Sequence, residues 1–368
     1  MANGSKNTTR TIRKKPSVNS RATRSVAGGL PTIRDVARDA NVSVATVSNV
    51  INGRHSSVSE RTRKFVQQQI DKLGYRPHAT GRSLRTSRRQ LVAMVMIDDA
   101  ENYLLDPLVG NLVAGFTDAV NRRGYATVVH GCRARDLENT VVIKTLGVDG
   151  YCLSLSGDES TRAALVERLL SLQQPIVLAQ EPAPNAHADI CVIRQDDFAG
   201  GVQLADHLIA RGVRRIVMLL PVLDWPAFNA RLDGLRSGAK RTGQPVQIAV
   251  LRTLSEGFED SVHAVEAYLA KSPCPDALVC GNDQMAAAAI RAARNRGLTV
   301  PKDVLVTGFN ALEFWQYTTP TLTTVRSRAR EIGSIAGNAL IDRLTSGSFA
   351  KREIVLPVTL LVGDSTAR

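Results

Sequence analysis

At 368 residues, 43% of them hydrophobic, the chain is long enough for two or three domains with a sizeable core. Its net charge of +13 is unevenly placed: residues 1–90 hold 19 Lys+Arg against 4 Asp+Glu, and the rest holds 28 against 30, so the local excess is the footprint of a polyanion partner. The five scattered cysteines exclude a disulfide framework or zinc site and point to reduced thiols, and no apolar run approaches the roughly 18 residues of a membrane helix.

Residues 1–30 hold seven basic residues and no acidic one, and read as a disordered basic tail able to add phosphate contacts. No apolar stretch there resembles a signal peptide; the composition also looks like an organelle transit peptide. The headpiece, residues 31–78, follows. Thr32 is placed to cap a helix carrying Ile33, Val36, Ala37 and Ala40 on one face, with Asp35 three residues on. Asn41-Val42 makes a tight turn. Ser43 caps a second helix, Val44 to Ile51, which Gly53 stops. Ser59 caps a third, ended by Gly74 with Pro77 beyond. This spacing fits a helix-turn-helix whose second helix enters the DNA major groove. Val36, Ala37, Val42, Val47, Val50, Phe65, Val66, Ile70 and Leu73 are its expected core. Outward on the second helix lie Val44, Ala45, Thr46, Ser48 and Asn49, short enough to reach thymine methyls or, for Asn49, an adenine edge. Helix pattern alone leaves a protein-binding three-helix module open; the charge favours DNA.

Here the sequence resembles the LacI/GalR bacterial transcription repressors. The match runs through Thr32-Ile33-Arg34-Asp35-Val36-Ala37, Val42 to Ser48, Asn52-Gly53, Leu73-Gly74-Tyr75-Arg76-Pro77 and Arg82-Ser83-Leu84. The resemblance implies DNA contacts from Thr32, Ser43, Asn52, Tyr75 and Arg82 beside those of the second helix. It also implies a hinge helix over 79–89 that forms on operator DNA, with Leu84 as a minor-groove wedge. Ala79-Thr80-Gly81 departs from the family's usual Ala-Leu-Ala and has poorer helix propensity.

From Gln90 the texture changes to strand–helix alternation. Strands are expected at 91–97, 126–130, 149–155 and 175–180, with helices at 108–123, 136–146 and 160–173 between and after them. A second series follows Asp196-Asp197: helix 198–211, strand 214–220, helix 229–242, strand 246–251, helix 257–271, strand 276–280, helix 283–296 and strand 304–307. Continuous apolar strands in this order predict an α/β fold with parallel sheets covered on both faces, in two lobes with a cleft at the strand carboxyl ends. The resemblance continues through Arg231-Leu232-Asp233-Gly234, Gly281-Asn282-Asp283 and Pro320 to Val325, and implies Rossmann-like lobes of the periplasmic-binding-protein kind. On it, residues 90–368 form an effector-binding and dimerisation domain. The first lobe is expected at about 90–194 and 325–346, the second at about 195–324 and 347–368.

By the same resemblance the effector site draws on Asp106, Gln180, Arg231, Asn282 and Asn310, with Trp225 added as a candidate stacking ring. Gln180 and Asn310 stand where the family more often has Asp, which implies a less anionic pocket holding either a sugar read through amides or an anionic ligand such as a sugar acid or sugar phosphate. The alternative for Arg231 is a surface helix residue. Trp225, Phe314, Trp315 and Tyr317 can stack on a ring or pack in a core. No GxGxxG, Walker, G-x-S-x-G or HExxH motif supports catalysis, and no cofactor or metal is expected.

The reading is a cytoplasmic, sequence-specific DNA-binding regulator, a repressor by resemblance. It is expected to act as a homodimer on a pseudopalindromic operator under control of a small-molecule effector, without membrane association. Alternatives are a regulator controlled by a protein partner, with a vestigial cleft, and a sugar-binding transport protein, which lacks support from the basic headpiece. The family's tetramers use a C-terminal leucine heptad, for which Val362 to Arg368 is too short.

Overall fold

A computed structural model describes residues 30–54, 57–76, 88–98, 106–182, 187–223 and 225–367, the side chains of Glu313 and Phe314 excepted. The chain divides into two compact units, Met1–Gly81 and Arg82–Arg368. The expected tail and most of the expected hinge, including Arg82 and Leu84, lie outside the described residues.

The first unit contains helices α1 (Ile33–Asp39), α2 (Val44–Ile51) and α3 (Glu60–Leu73). Each begins where a short polar side chain can satisfy the free N–H groups of a first turn. The Thr32 backbone N–H and hydroxyl both donate to Asp35 Oδ2, at 3.0 and 2.7 Å. Ser43 Oγ accepts from Thr46 N at 3.1 Å, and Ser59 Oγ from Thr62 N at 3.2 Å. Gly74 takes φ +62°, a left-handed conformation that ends α3 at no side-chain cost. Val36, Ala37, Val47, Val50, Val66 and Ile70 form the core, with Tyr75 closing it. Phe65, expected inside, is 44% exposed. Val66 and Ile70, four apart, set the buried face of α3, and Phe65 points about 100° away around the helix. Val42 and Leu73 are only partly buried.

The second unit alternates strands and helices. Its first lobe holds β1 (Leu91–Ile97), α4 (Pro107–Arg122), β2 (Ala126–Cys132), β3 (Tyr151–Leu155), α5 (Glu159–Leu170), β4 (Ile176–Ala179) and β5 (Ile190–Gln195). The second lobe holds α6 (Asp197–Ile209), β6 (Arg215–Pro221), α7 (Pro226–Arg241), β7 (Gln247–Thr253), α8 (Phe258–Lys271), β8 (Ala277–Cys280), α9 (Asp283–Asn295) and β9 (Leu305–Thr307). Then follow β10 (Thr324–Arg326), α10 (Ala329–Ser346), β11 (Glu353–Leu356) and β12 (Thr359–Leu361). One parallel sheet runs β11-β5-β4-β3-β1-β2 and the other β7-β6-β8-β9; β10 and β12 pair antiparallel. Strands β4, β8 and β9 are buried at every position, as sheets covered on both faces require.

Three expectations are corrected. Residues 136–146 are not one helix: a 3-10 segment, Ala134–Asn139, ends at extended Thr140, and a π turn, Val142–Leu146, follows. Thr140, Val141, Val142, Ile143 and Thr145 are β-branched and costly in a regular helix, and the Thr140 hydroxyl donates to Leu137 O at 2.8 Å. Strand β5 was not expected, although its Ile-Cys-Val-Ile run is apolar. The segment after α10 does not stay in the second lobe, because β11 adds to β5 at the edge of the first sheet before β12 returns.

Each lobe is braced by a close helix pair, α4 with α10 and α6 with α7. A Cβ at Gly115 would stand 1.9 Å from Arg330 O, and one at Gly333 2.1 Å from Leu112 O. In the second lobe a Cβ at Gly234 would stand 2.0 Å from Phe198 O, and one at Gly201 2.1 Å from Arg231 O. The missing side chains let backbones touch, which places the start of α7, and with it Arg231, against the crossover into α6.

Candidate functional site

In the first unit, α2 presents Val44 and Ala45 exposed, with Thr46, Ser48 and Asn49 half-buried beside them. Thr32, Ser43 and Asn52 are exposed around the ends of α1 and α2. Part of this surface is held by its own hydrogen bonds: Asn49 Nδ2 donates to Ser57 Oγ at 3.2 Å, and Asn52 Nδ2 to Ser48 O at 2.5 Å. Tyr75, expected among the DNA contacts, packs with the headpiece core and is 7% exposed.

In the second unit, strand carboxyl ends and helix amino ends from both lobes face one cleft, enclosing about 660 Å³ with its open mouth. All six expected effector residues line it: Asp106 and Gln180 from the first lobe, Trp225, Arg231, Asn282 and Asn310 from the second. Each sits where a strand end or helix start puts it. Asp106 caps α4, accepting from Leu108 N at 2.9 Å, and Asn282 caps α9, accepting from Met285 N at 2.9 Å. Gln180 follows β4 and Asn310 follows β9; both have positive φ, +64° and +108°, the uncommon backbone that recurs at ligand clamps. Gln180 Oε1 is spent on Gln195 N at 2.9 Å, while Gln180 Nε2 and Trp225 Nε1 are buried with no hydrogen-bond partner among the described residues. A bound acceptor is what such donors lack.

Arg231 is not a surface residue; it is 3% exposed. Its Nε donates to Asp197 Oδ1 at 2.9 Å, Nη1 to Gly281 O at 2.6 Å and Nη2 to Asn310 Oδ1 at 3.5 Å. The Phe309 ring lies 3.7 Å from the guanidinium carbon. Asp197 is held in turn by Gln195 Nε2 at 3.0 Å, and Gln195 Oε1 accepts from Ser327 Oγ and Arg328 N. Gln195 thus joins the two crossovers, at 195–197 and 326–329, to the partner of the cleft arginine.

Sequence reasoning missed Asp197 as that partner and missed the two glutamates of the cleft. Glu181 pairs with Arg162, Nε to Oε2 3.1 Å, yet burial pushes its carboxyl up to about 7. Glu256 accepts from Asn282 Nδ2 at 2.6 Å and is also pushed up to about 7, by burial first and by Asp106 second. Burial likewise raises Asp106. The pocket is therefore more acidic than Gln180 and Asn310 imply. The signal for Glu256 was its place just past β7, where the strand-end rule puts ligand groups. Trp315 and Tyr317 do not line the cleft, and Tyr317 is exposed. Among the described residues no cluster of His, Cys, Asp and Glu could hold a metal, and no helix is long and apolar enough to cross a membrane.

Comparison with known proteins agrees with both units. Residues 32–78 match the model of bacterial regulatory proteins of the lacI family, and residues 205–366 that of a periplasmic binding protein-like domain. The regulator CelR of Thermobifida fusca is 30% identical over 338 residues, spanning 91% of this chain and 98% of that protein. The chain belongs to the lacI family. Other members near it are the regulator DegA of Bacillus subtilis, 28% identical over 91% of this chain and 98% of that one, and the Escherichia coli ribose operon repressor, 29% identical over 90% and 98%. Among solved structures, the CelR–cellobiose complex aligns with a TM-score of 0.67 at 28% identity, covering 91% of this chain and 99% of that one. The Lac repressor bound to ONPG aligns with 0.80 at 25% identity, covering 92% and 100%. As a lacI-family chain it is a DNA-binding transcription regulator, with the helix-turn-helix and the two-lobed α/β domain that the sequence led one to expect.

Proposed function

We propose that this regulator reads a small polar ligand of carbohydrate type in the interlobe cleft, and that occupancy there sets its affinity for operator DNA. The observation that carries the reading is the convergence of Asp106 and Gln180 from one lobe with Trp225, Arg231, Asn282 and Asn310 from the other. A ligand bridging these residues binds the closed arrangement better than an open one, and only such differential affinity can shift the equilibrium. Gln195, tied to both crossovers and to Asp197, is suited to pass lobe closure on to the Arg231 side of the cleft. On DNA, Thr32, Ser43, Val44, Ala45, Thr46, Ser48, Asn49 and Asn52 are the contacting residues, with Arg82 and Leu84 from the hinge. The chain acts as a homodimer on a pseudopalindrome, as a cytoplasmic repressor and not as an enzyme.

Cellobiose with CelR and ONPG with the Lac repressor support the carbohydrate class. The test has two stages. Full-length protein selects its operator from random DNA, and fluorescence anisotropy then follows that operator as sugars are titrated. A palindromic consensus with a ligand-dependent Kd is expected. Selection of no consensus, or a Kd that no ligand in a broad panel moves, overturns the reading and leaves regulation to a protein partner.

A further inference from the structure

We infer that the cleft ligand is a polyhydroxylated ring bearing a protonated amine, an amino sugar in chemical class, with its ammonium between Asp106 and Glu256. The inference rests on the reading of the cleft as a small-ligand site, and it concerns the charge of that ligand.

The charges of the cleft do not balance. Of the charged residues lining the cleft, Arg231 already faces Asp197 at 2.9 Å and lies on Phe309, and Glu181 already faces Arg162 at 3.1 Å. Two carboxyls remain. Among the described residues, neither Asp106 nor Glu256 has an ion-pair partner, and each engages one oxygen: Asp106 Oδ1 with Leu108 N, Glu256 Oε2 with Asn282 Nδ2. Asp106 acts on Glu256, and Asp98, just after β1, adds a further negative charge to both, opposed at a distance by Arg231. Two half-buried carboxyls lining one cleft lose hydration and, when ionised, repel each other, and a cation set between them relieves both costs.

The remaining groups describe the rest of the ligand. Gln180 Nε2 and Trp225 Nε1 are buried donors without partners among the described residues, so the ligand offers them oxygens. Leu108, Leu155, Trp225 and Phe228 supply an apolar wall on which the carbon face of a ring can lie. A sugar acid or sugar phosphate would bring a further negative charge beside Asp106 and Glu256, with the Arg231 charge already opposed by Asp197. This argues against the anionic ligand that Gln180 and Asn310 suggested from sequence.

The test uses full-length protein and matched sets at pH 7.5: glucosamine, glucose, N-acetylglucosamine, glucuronate and glucose 6-phosphate, with the galactose and mannose counterparts. Thermal shift finds binders and calorimetry gives their Kd. The amine of the best-fitting set is expected to bind at least tenfold more tightly than its neutral parent, and N-acetylation, which keeps the nitrogen and removes its charge, to abolish the gain. Asp106→Asn and Glu256→Gln are each expected to erase the preference for the amine over the neutral parent; two variants guard against one failing to fold. A neutral sugar binding as well as its amine overturns the inference and leaves the carbohydrate reading standing. Preference for the acid or the phosphate overturns it as well. Binding of none of these compounds overturns both.

Discussion

Asp197→Ala is the sharpest test of how the cleft is built. Arg231 and Asp197 are both buried, 3% and 6% exposed, and joined at 2.9 Å, so removing the carboxylate strands a guanidinium with little water to replace it. Breaking a buried pair from one side costs about 3–5 kcal/mol. Phe309 and the carbonyl of Gly281 keep contact with Arg231, which favours the lower half of that range. For a domain of this size each kcal/mol moves Tm by about 2–4 °C, so the variant is expected to melt roughly 6–16 °C below the parent. Urea titration followed by fluorescence measures the loss directly, with m unchanged if only stability is affected. Pairing it with Arg231→Met removes the stranded charge and is expected to restore at least half of the loss, because the two effects are coupled. The same single variant frees Arg231 toward the cleft and is expected to improve binding of glucuronate relative to glucosamine. A loss below about 1 kcal/mol would refute the claim that Asp197 neutralises Arg231, and the charge argument built on it.

Three further outcomes follow from the structure. Gly234→Ala places a Cβ 2.0 Å from Phe198 O, a backbone atom that cannot swing aside, so the α6–α7 pair must separate; a loss of about 3 kcal/mol or more is expected in the same urea assay, and a loss within 0.5 kcal/mol would contradict the packing. Ser43→Ala removes the acceptor for Thr46 N and is expected to cost about 1 kcal/mol locally, read as faster hydrogen exchange in Val44–Ile51 and weaker operator binding, whereas Ser43→Thr retains most of both. Stability is expected to fall as pH rises from 5 to about 7. Glu181, Glu256 and Asp283 are each raised to about 7 by burial, so above their unfolded values the native state holds protons that the unfolded chain has lost, and this advantage disappears as pH passes 7. His207 acts in the opposite sense: burial lowers it to about 4, and it costs stability as pH falls below 6.5. Tm measured from pH 5 to 8 is expected to decline between 5 and about 7 and to level off above that, less steeply in Glu256→Gln, and a flat profile between 5 and 7 would refute the raised carboxyls.

The amino-acid sequence by itself determined much of this protein. Thr32, Ser43 and Ser59 act on the turn that follows them, and Gly74 on its own backbone, so the helices of the headpiece were legible from local chemistry. Apolar runs such as Leu91–Ile97 and Ala277–Cys280 announced buried parallel strands, because a sheet covered on both faces leaves no polar alternation. Five of the six cleft residues were found by resemblance and Trp225 as a candidate stacking ring, and strand-end positions are where topology brings ligand groups. What failed was non-local. Phe65 looks like a core residue until the angle between α3 and its neighbours is known. Tyr75 was expected only as a DNA contact, and its packing with the core was not foreseen. Strand β11 carries only four residues, two of them exposed, and its place in the first sheet depends on β5, more than 150 residues earlier in the chain. The cleft's charge was decided only by tertiary structure. Nothing near Arg231 in sequence reveals that Asp197 neutralises it, or that Glu256 and Asp106, 150 positions apart, share one cavity; electrostatics depends on separation and burial in space, and the fold alone sets both.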